Sequence, residues 1–202
     1  MHKLAEEGGG SAAFDRLLAE IRGCTICAPY LPHGPRPIVR GWPSAHLLIV
    51  SQAPGVRVHE SGLSFDDRSG DRLRAWLGLD REVFYDEARV AIVGMGFCYP
   101  GRRKGGDLPP RPGCAPLWHA CVLALLPKIE LTLLIGSYAI EYYLAGAKRR
   151  SMAETVAAWR DFLPRFLPLP HPSWRTMMFE QRNPWFEAEL MPELHRRVSA
   201  LV

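Results

Sequence analysis

His46-Leu47-Leu48-Ile49-Val50-Ser51, closed by Pro54-Gly55, is a continuous apolar run, and its lack of alternation decides the fold class. A strand with one buried face alternates apolar and polar residues; one buried on both faces does not, and that profile belongs to a parallel sheet covered by helices. Working outward, Val90 to Val93, Glu130 to Ile135 and Phe166 to Leu169 read as three further strands. Helical spacing of apolar residues appears at Phe14, Leu17, Leu18 and Ile21, again at Leu73, Trp76 and Leu77 before Gly78, and over 116–126, 138–144, 152–162 and 185–201. Strand and helix alternate. The predicted architecture is α/β: a single-domain three-layer sandwich with a four-stranded, largely parallel central sheet flanked by helices. Ligands of such sheets sit at the carboxyl ends of the strands, which puts the loops beginning at Gln52, Gly94, Gly136 and His171 on one rim.

The 202 residues, 48% apolar and 23% charged, suffice for one well-buried core and exclude general disorder. A net charge of +4 permits a polyanionic partner without requiring one. No apolar run reaches the roughly 18 to 20 residues of a membrane span, so no membrane association is expected. Residues 1–10 carry Lys3, Glu6, Glu7 and a triple glycine and lack the pattern of a signal peptide. They are expected to form a flexible tail ahead of one domain over 11–202, in a cytoplasmic protein. Neither heptads nor a large apolar stripe is evident, and a monomer is expected.

The five cysteines are an odd and unevenly spaced set for a disulfide scaffold, which turns attention to ligation of a metal or cofactor. Cys24 and Cys27 form a C-x-x-C pair at the mouth of a loop, 27–43, that holds five prolines and two glycines and needs an anchor. Cys98 and Cys114 are separated by 15 intervening residues in a segment rich in glycine, proline and arginine. Four thiolates suit either a tetrahedral zinc or a four-iron cluster, the wide second pair leaning toward the cluster. Cys121, at i+7 from Cys114 beside Val122 and Leu123, is expected to be a buried thiol packing as a small hydrophobe.

Five features follow one another along the chain: Cys24-x-x-Cys27; Gln52-Ala53-Pro54-Gly55 after a strand; Gly62-x-x-Phe65-x-x-Arg68-Ser69-Gly70; the Cys98/Cys114 pair; and His171-Pro172-Ser173 after the last strand. In order and spacing this set resembles the iron-sulfur, family-four-like branch of the uracil-DNA glycosylase superfamily. The resemblance covers Cys24 to Arg175. It implies a 4Fe-4S cluster, in preference to zinc, on Cys24, Cys27, Cys98 and Cys114. It also implies a monofunctional DNA repair glycosylase that hydrolyses the N-glycosidic bond of uracil, or another deaminated base, flipped out of DNA, leaving an abasic site. Phe65 would stack on the flipped base, whose extrusion costs about a few kcal/mol of unstacking. His171 would donate to the carbonyl oxygen on which negative charge develops. Ala53, Pro54, Gly55, Gly94 and Met95 would shape the base pocket. Arg102, Arg103 and Lys104 would meet phosphates, and Ser173, Trp174 and Arg175 would enter the space the base leaves.

Two departures bear on mechanism and selectivity. At the position before Ala53, where the resembled branch typically carries a glutamate, this chain has Gln52, which can hold a water by hydrogen bonding but cannot take its proton. Asp67 and His59 are therefore expected in supporting catalytic roles. Where the family carries a base-reading asparagine, four positions before the third cysteine, this chain has Gly94, which offers only backbone groups and puts uracil selectivity in question. The alternative is a protein of the same fold that binds damaged or abasic DNA with weak or no catalysis.

Overall fold

The computed structural model describes residues 2–202, with side chains from residue 10 onward. The tail expected over 1–10 therefore falls, Gly10 apart, on residues whose side chains lie outside those described. In chain order the elements are α1 (His2–Arg22), β1 (Val39–Arg40), β2 (Leu47–Ser51), α2 (Val56–Ser61), α3 (Arg68–Leu77), α4 (Arg81–Phe84) and β3 (Val90–Gly94). A small hairpin follows, β4 (Arg102–Arg103) and β5 (Gly106–Asp107), then α5 (Cys114–Ala124), β6 (Leu131–Ile135), α6 (Ser137–Tyr143), α7 (Met152–Ala157), β7 (Phe166–Leu169), α8 (Met177–Arg182) and α9 (Met191–Ser199).

The main sheet has the order β1-β3-β2-β6-β7. β2 lies at its centre, parallel to β3 and β6, and β6 is parallel to β7. Leu47, Leu48, Ile49 and Val50 are fully buried, as a strand covered on both faces requires. The sheet has five strands where four are predicted. The extra one, β1, runs antiparallel along the edge of β3 with Val39 opposite Val93. Two residues in a proline-rich loop carry no periodicity of their own; the free edge of β3 supplies their pairing. The β4–β5 hairpin is likewise absent from the sequence reading.

Helix ends follow local chemistry. Asp67, Asp80 and Ser151 accept from backbone N–H groups at the starts of α3, α4 and α7, and Gly78 closes α3 in the left-handed conformation. The predicted helix over 152–162 divides into α7 and a short 3-10 turn, Trp159–Phe162. That over 185–201 is a π-helical turn, Phe186–Leu190, running into α9. α9 packs on α3 and α1 on α5, covering the two faces of the sheet. Among the described residues no helix is long and apolar enough to cross a membrane. Cys121 is exposed and not the buried thiol expected, because α5 turns Val122 and His119 inward.

The parallel order has one functional consequence. The chain leaves β2 toward β3 on one side and leaves β6 toward β7 on the other, so the connections part between β2 and β6. Ligands of open α/β sheets bind at such a switch point, beyond the carboxyl ends of the strands. Leu133, fully buried on β6, measures how far the core depends on this sheet. Leu133→Ala is expected to lower unfolding free energy by about 2 to 5 kcal/mol in denaturant titration, from lost transfer energy and a residual cavity.

Candidate active site

The rim holds a cavity of about 130 Å³ whose lining includes Gln52, Ala53, Pro54 and Gly55 after β2, Phe65 and Asp67 before α3, Gly94 at the end of β3, Asp107 of β5 and His171 after β7. Five separate segments thus meet at one point. Gly94 is the register partner of Ser51, and the two loops stay stapled beyond the sheet, where Met95 N–H donates to Ser51 O at 2.7 Å and Gly96 N–H to Gln52 O at 2.9 Å.

Phe65 is 8% exposed, and its φ of 58° is left-handed, unlike that of every other non-glycine among the described residues. Such a conformation costs about 1 to 3 kcal/mol and persists only where its surroundings enforce it. The enforcement is visible. Tyr85 O–H donates to Ser64 O at 2.9 Å, and the buried Arg74 guanidinium reaches Phe65 O at 3.4 Å and Tyr85 Oη at 3.3 Å. Phe84 meets the Phe65 ring edge to face, centroids 6.1 Å apart. Gly70 is there for close approach: a Cβ at that position would lie 1.7 Å from the Phe65 carbonyl oxygen. This explains the last glycine of the phenylalanine motif. Asp67, between them, caps α3 by accepting from Gly70 N–H at 2.9 Å.

His171 is half-buried on the opposite wall, and burial holds its imidazole below the usual histidine range against the opposing pull of Asp67. A neutral ring keeps an N–H to donate without carrying charge into the cavity. Its loop is rigid. Ser173 N–H donates to His171 O at 2.8 Å, the Thr176 hydroxyl donates to the same oxygen, and Arg72 of α3 donates to Ser173 O at 3.0 Å. Arg72 also pairs with Glu180 of α8. On the outer side Trp174 is 75% exposed with Met177 and Met178 exposed beside it, while Arg175 donates to Gly105 O at 3.0 Å and so ties this loop to the β4–β5 hairpin. Arg102, Arg103 and Lys104 are exposed on that hairpin. The other basic run, Lys148 to Arg150, is engaged with Glu141, Asp161 and Glu154.

Not every residue singled out from the sequence reaches the cavity. Met95 is buried and walls a separate groove with Pro109, Pro110 and Tyr142. His59 lies outside the lining, in an aromatic cluster with His33 and Tyr99, its ring centroid 5.8 Å from each. Burial and the nearby Arg36 and His33 hold its imidazole below the usual range. Gly94 is more constrained than its sequence suggests, since a Cβ there would lie 2.6 Å from Gly96 O. Its carbonyl is engaged by the buried His119 Nε2 at 2.9 Å, while His119 Nδ1 is 2.7 Å from Tyr143 Oη. His119, Arg72, Arg74 and Asp107 were not picked out from the sequence. A histidine inside an apolar helix was the only available sign of the first; the others depend on contacts between distant segments.

The four cysteines Cys24, Cys27, Cys98 and Cys114 wall one cavity with Pro37, Phe97, Arg111 and Trp118. Burial pushes the Cys98 thiol up to about 11 and the Cys114 thiol up to about 12, with the neighbouring cysteines adding to both. Thiols so placed are stable as thiolates only beside a compensating positive charge. Phe97 N–H points at Cys114 Sγ at 3.4 Å, and the Arg36 backbone favours the Cys98 thiolate. Among the described residues no three His, Cys, Asp or Glu side chains converge as a single-ion cage; the thiols bound a shared space. Pro37 faces this cavity and its neighbour Ile38 faces the rim cavity, so the cysteine loop backs directly onto the candidate active site.

The fold is a largely parallel α/β sheet whose rim cavity is lined by both the left-handed Phe65 and the histidine after β7. The model of the uracil DNA glycosylase superfamily matches residues 39–195, and the chain belongs to that superfamily. The match covers all five strands of the main sheet and the cavity loops, including Gln52, Phe65 and His171; Cys24 and Cys27 precede it.

The Gly70 contact yields a direct test. Gly70→Ala forces the Phe65 carbonyl to move and is expected to destabilise the fold by about 1 to 3 kcal/mol, the range of overpacked sites, in chemical denaturation. Ala75→Gly, on an exposed position of the same helix, is the control and should cost about 1 kcal/mol or less.

Proposed function

We propose that this protein is a cytoplasmic, monofunctional DNA glycosylase that hydrolyses the N-glycosidic bond of uracil, or of another deaminated base, flipped out of DNA. The observation that carries this reading is the pairing of Phe65 and His171 in one base-accepting cavity on the sheet rim. An extruded pyrimidine loses its stacking partners, and the face of Phe65 replaces them. As the bond from the sugar to the base breaks, its electron pair enters the pyrimidine and negative charge gathers on the ring oxygen. A neutral imidazole N–H fixed in a rigid loop stabilises that charge at little reorganisation cost. Gln52 orients the water that adds to the sugar.

Trp174, exposed beside His171, is suited to wedge into the duplex, and Arg102, Arg103 and Lys104 to hold phosphates. Position 94 has no room for a side chain, so base selection falls to the backbone and to the polar residues lining the cavity, Ser51, Gln52, Ser64 and Ser69. This arrangement suits a range of deaminated bases better than a single one.

We infer a 4Fe-4S cluster in the cysteine cavity, a reading supported by four thiols lining one space, by burial that disfavours their uncompensated thiolates, and by backbone N–H groups directed at Cys98 and Cys114. Such a cluster would cross-link the proline-rich loop to the segment after β3. Cys24, Cys27, Cys98 and Cys114 would hold it.

Two measurements test these proposals. Purified protein incubated with oligonucleotides carrying uracil, hypoxanthine or xanthine is expected to leave alkali-labile sites, and His171→Ala to slow the reaction by about 100- to 1,000-fold. No cleavage of any of these, or equal rates in the variant, overturns the assignment. Protein purified without oxygen is expected to be brown with about four iron atoms per chain, and Cys24→Ser with Cys27→Ser to be colourless. Stoichiometric zinc would overturn the cluster.

A further inference from the structure

We propose that Asp107, delivered by the β4–β5 hairpin, is a catalytic residue that accepts the proton of the attacking water; the inference rests on the glycosylase reading above. Gln52, on the cavity loop after β2, cannot take a proton. Among the described residues the cavity lining holds two carboxylates, Asp67 and Asp107. Asp67 is committed to the first turn of α3, where its Oδ1 accepts from Gly70 N–H. Asp107 caps no helix, and its carboxylate accepts from the Tyr99 phenol, which leaves its remaining lone pairs open to the cavity. Its backbone pairs with Arg102 across the hairpin, and its side chain leans over the loop after β2.

Gly55 records that approach. Its φ of −83° is open to any residue, yet a Cβ there would lie 3.3 Å from Asp107 Oδ2. The glycine therefore leaves space for the carboxylate to overhang the Gln52–Gly55 turn. Arg175 ties the hairpin to the loop after β7 by donating to Gly105 O at 3.0 Å, and Leu108 N–H closes the base of the hairpin by donating to Gly101 O at 2.9 Å. The titratable and charged groups facing Asp107 are the buried Tyr99 phenol, which its carboxylate helps to hold protonated, Arg102 on the paired strand, and Asp67 and His171 around the cavity.

In the step, the water oxygen bonds to the sugar carbon as the bond from that carbon to the base breaks. The bonding pair leaves with the base, whose oxygen His171 faces, and one water proton passes to Asp107. It returns through solvent to the released base, so no other reactant is consumed.

The experiment compares wild type with Asp107→Asn and Asp107→Ala on the same oligonucleotide panel, alongside affinity for DNA with an abasic-site analogue. Single-turnover cleavage is expected to fall about 100-fold or more in both variants. Affinity should stay within about threefold, and formate should restore part of the rate to Asp107→Ala alone. Variant rates within about threefold of wild type overturn the role of Asp107 and leave the glycosylase reading standing. So does a slow Asp107→Ala that formate does not rescue. A wild type that cleaves nothing overturns both.

Discussion

Everything in the molecule is arranged around a strand that has hydrogen-bonded neighbours on both edges and helices on both faces. Because β2 is parallel to β3 and β6, three strands end on the same side, and β7 joins them through β6. Their carboxyl-end loops must share one rim. Polar groups cannot be buried beneath such a sheet without partners, so the residues with chemistry to offer gather where the strands stop. The Met95 and Gly96 hydrogen bonds to the β2 loop extend this constraint past the last paired residue. The cavity floor is therefore a continuation of the sheet's own hydrogen bonding.

The two walls are fixed by different means. Phe65 is held in a conformation it would not choose, by a carbonyl pressed against Gly70 and by Arg74 and Tyr85 reaching the backbone on either side. His171 is held through its own carbonyl, which accepts from Ser173 and Thr176, and through Arg72 on the next residue but one. Both Arg72 and Arg74 belong to α3, whose first turn Asp67 caps. One short helix thereby positions the aromatic wall, the imidazole wall and a carboxylate between them. Preorganisation of this kind is what makes a fixed donor effective when charge develops.

The cysteine cavity stands behind the same site. Adjacent residues Pro37 and Ile38 face opposite cavities, and Arg36 donates to the carbonyls of His59 and Glu60 at the end of α2. A loop with five prolines and two glycines between 27 and 43 has little helix or sheet to order it. Cross-linking its start to Cys98 and Cys114 would order that loop and, through Ile38 and Arg36, the wall of the rim cavity.

Apolar runs too uniform for one-sided strands, separated by helical periodicity, were enough to establish the α/β class, the parallel core and the rim loops. Those properties are local, set by how each segment hides its side chains from water. The resemblance carried by the ordered motifs made Gln52, Phe65 and His171 legible as site candidates, with Asp67 added as an acid beside Phe65, and tertiary structure brings all four to one cavity. Spacing did not reveal the edge strand β1 or the hairpin carrying Asp107, because two-residue strands have no periodicity and exist only through their partners. Nor did it reveal that His59 faces Tyr99 and lies off the cavity, that Cys121 points outward, or that Gly94 has its carbonyl engaged by His119. Each of those depends on which distant segments the fold brings within a few ångströms. The sequence by itself determined which residues line up along the strands and where the strands end; only the tertiary structure decided which side chains face one another there, since that requires the packing of all the layers at once.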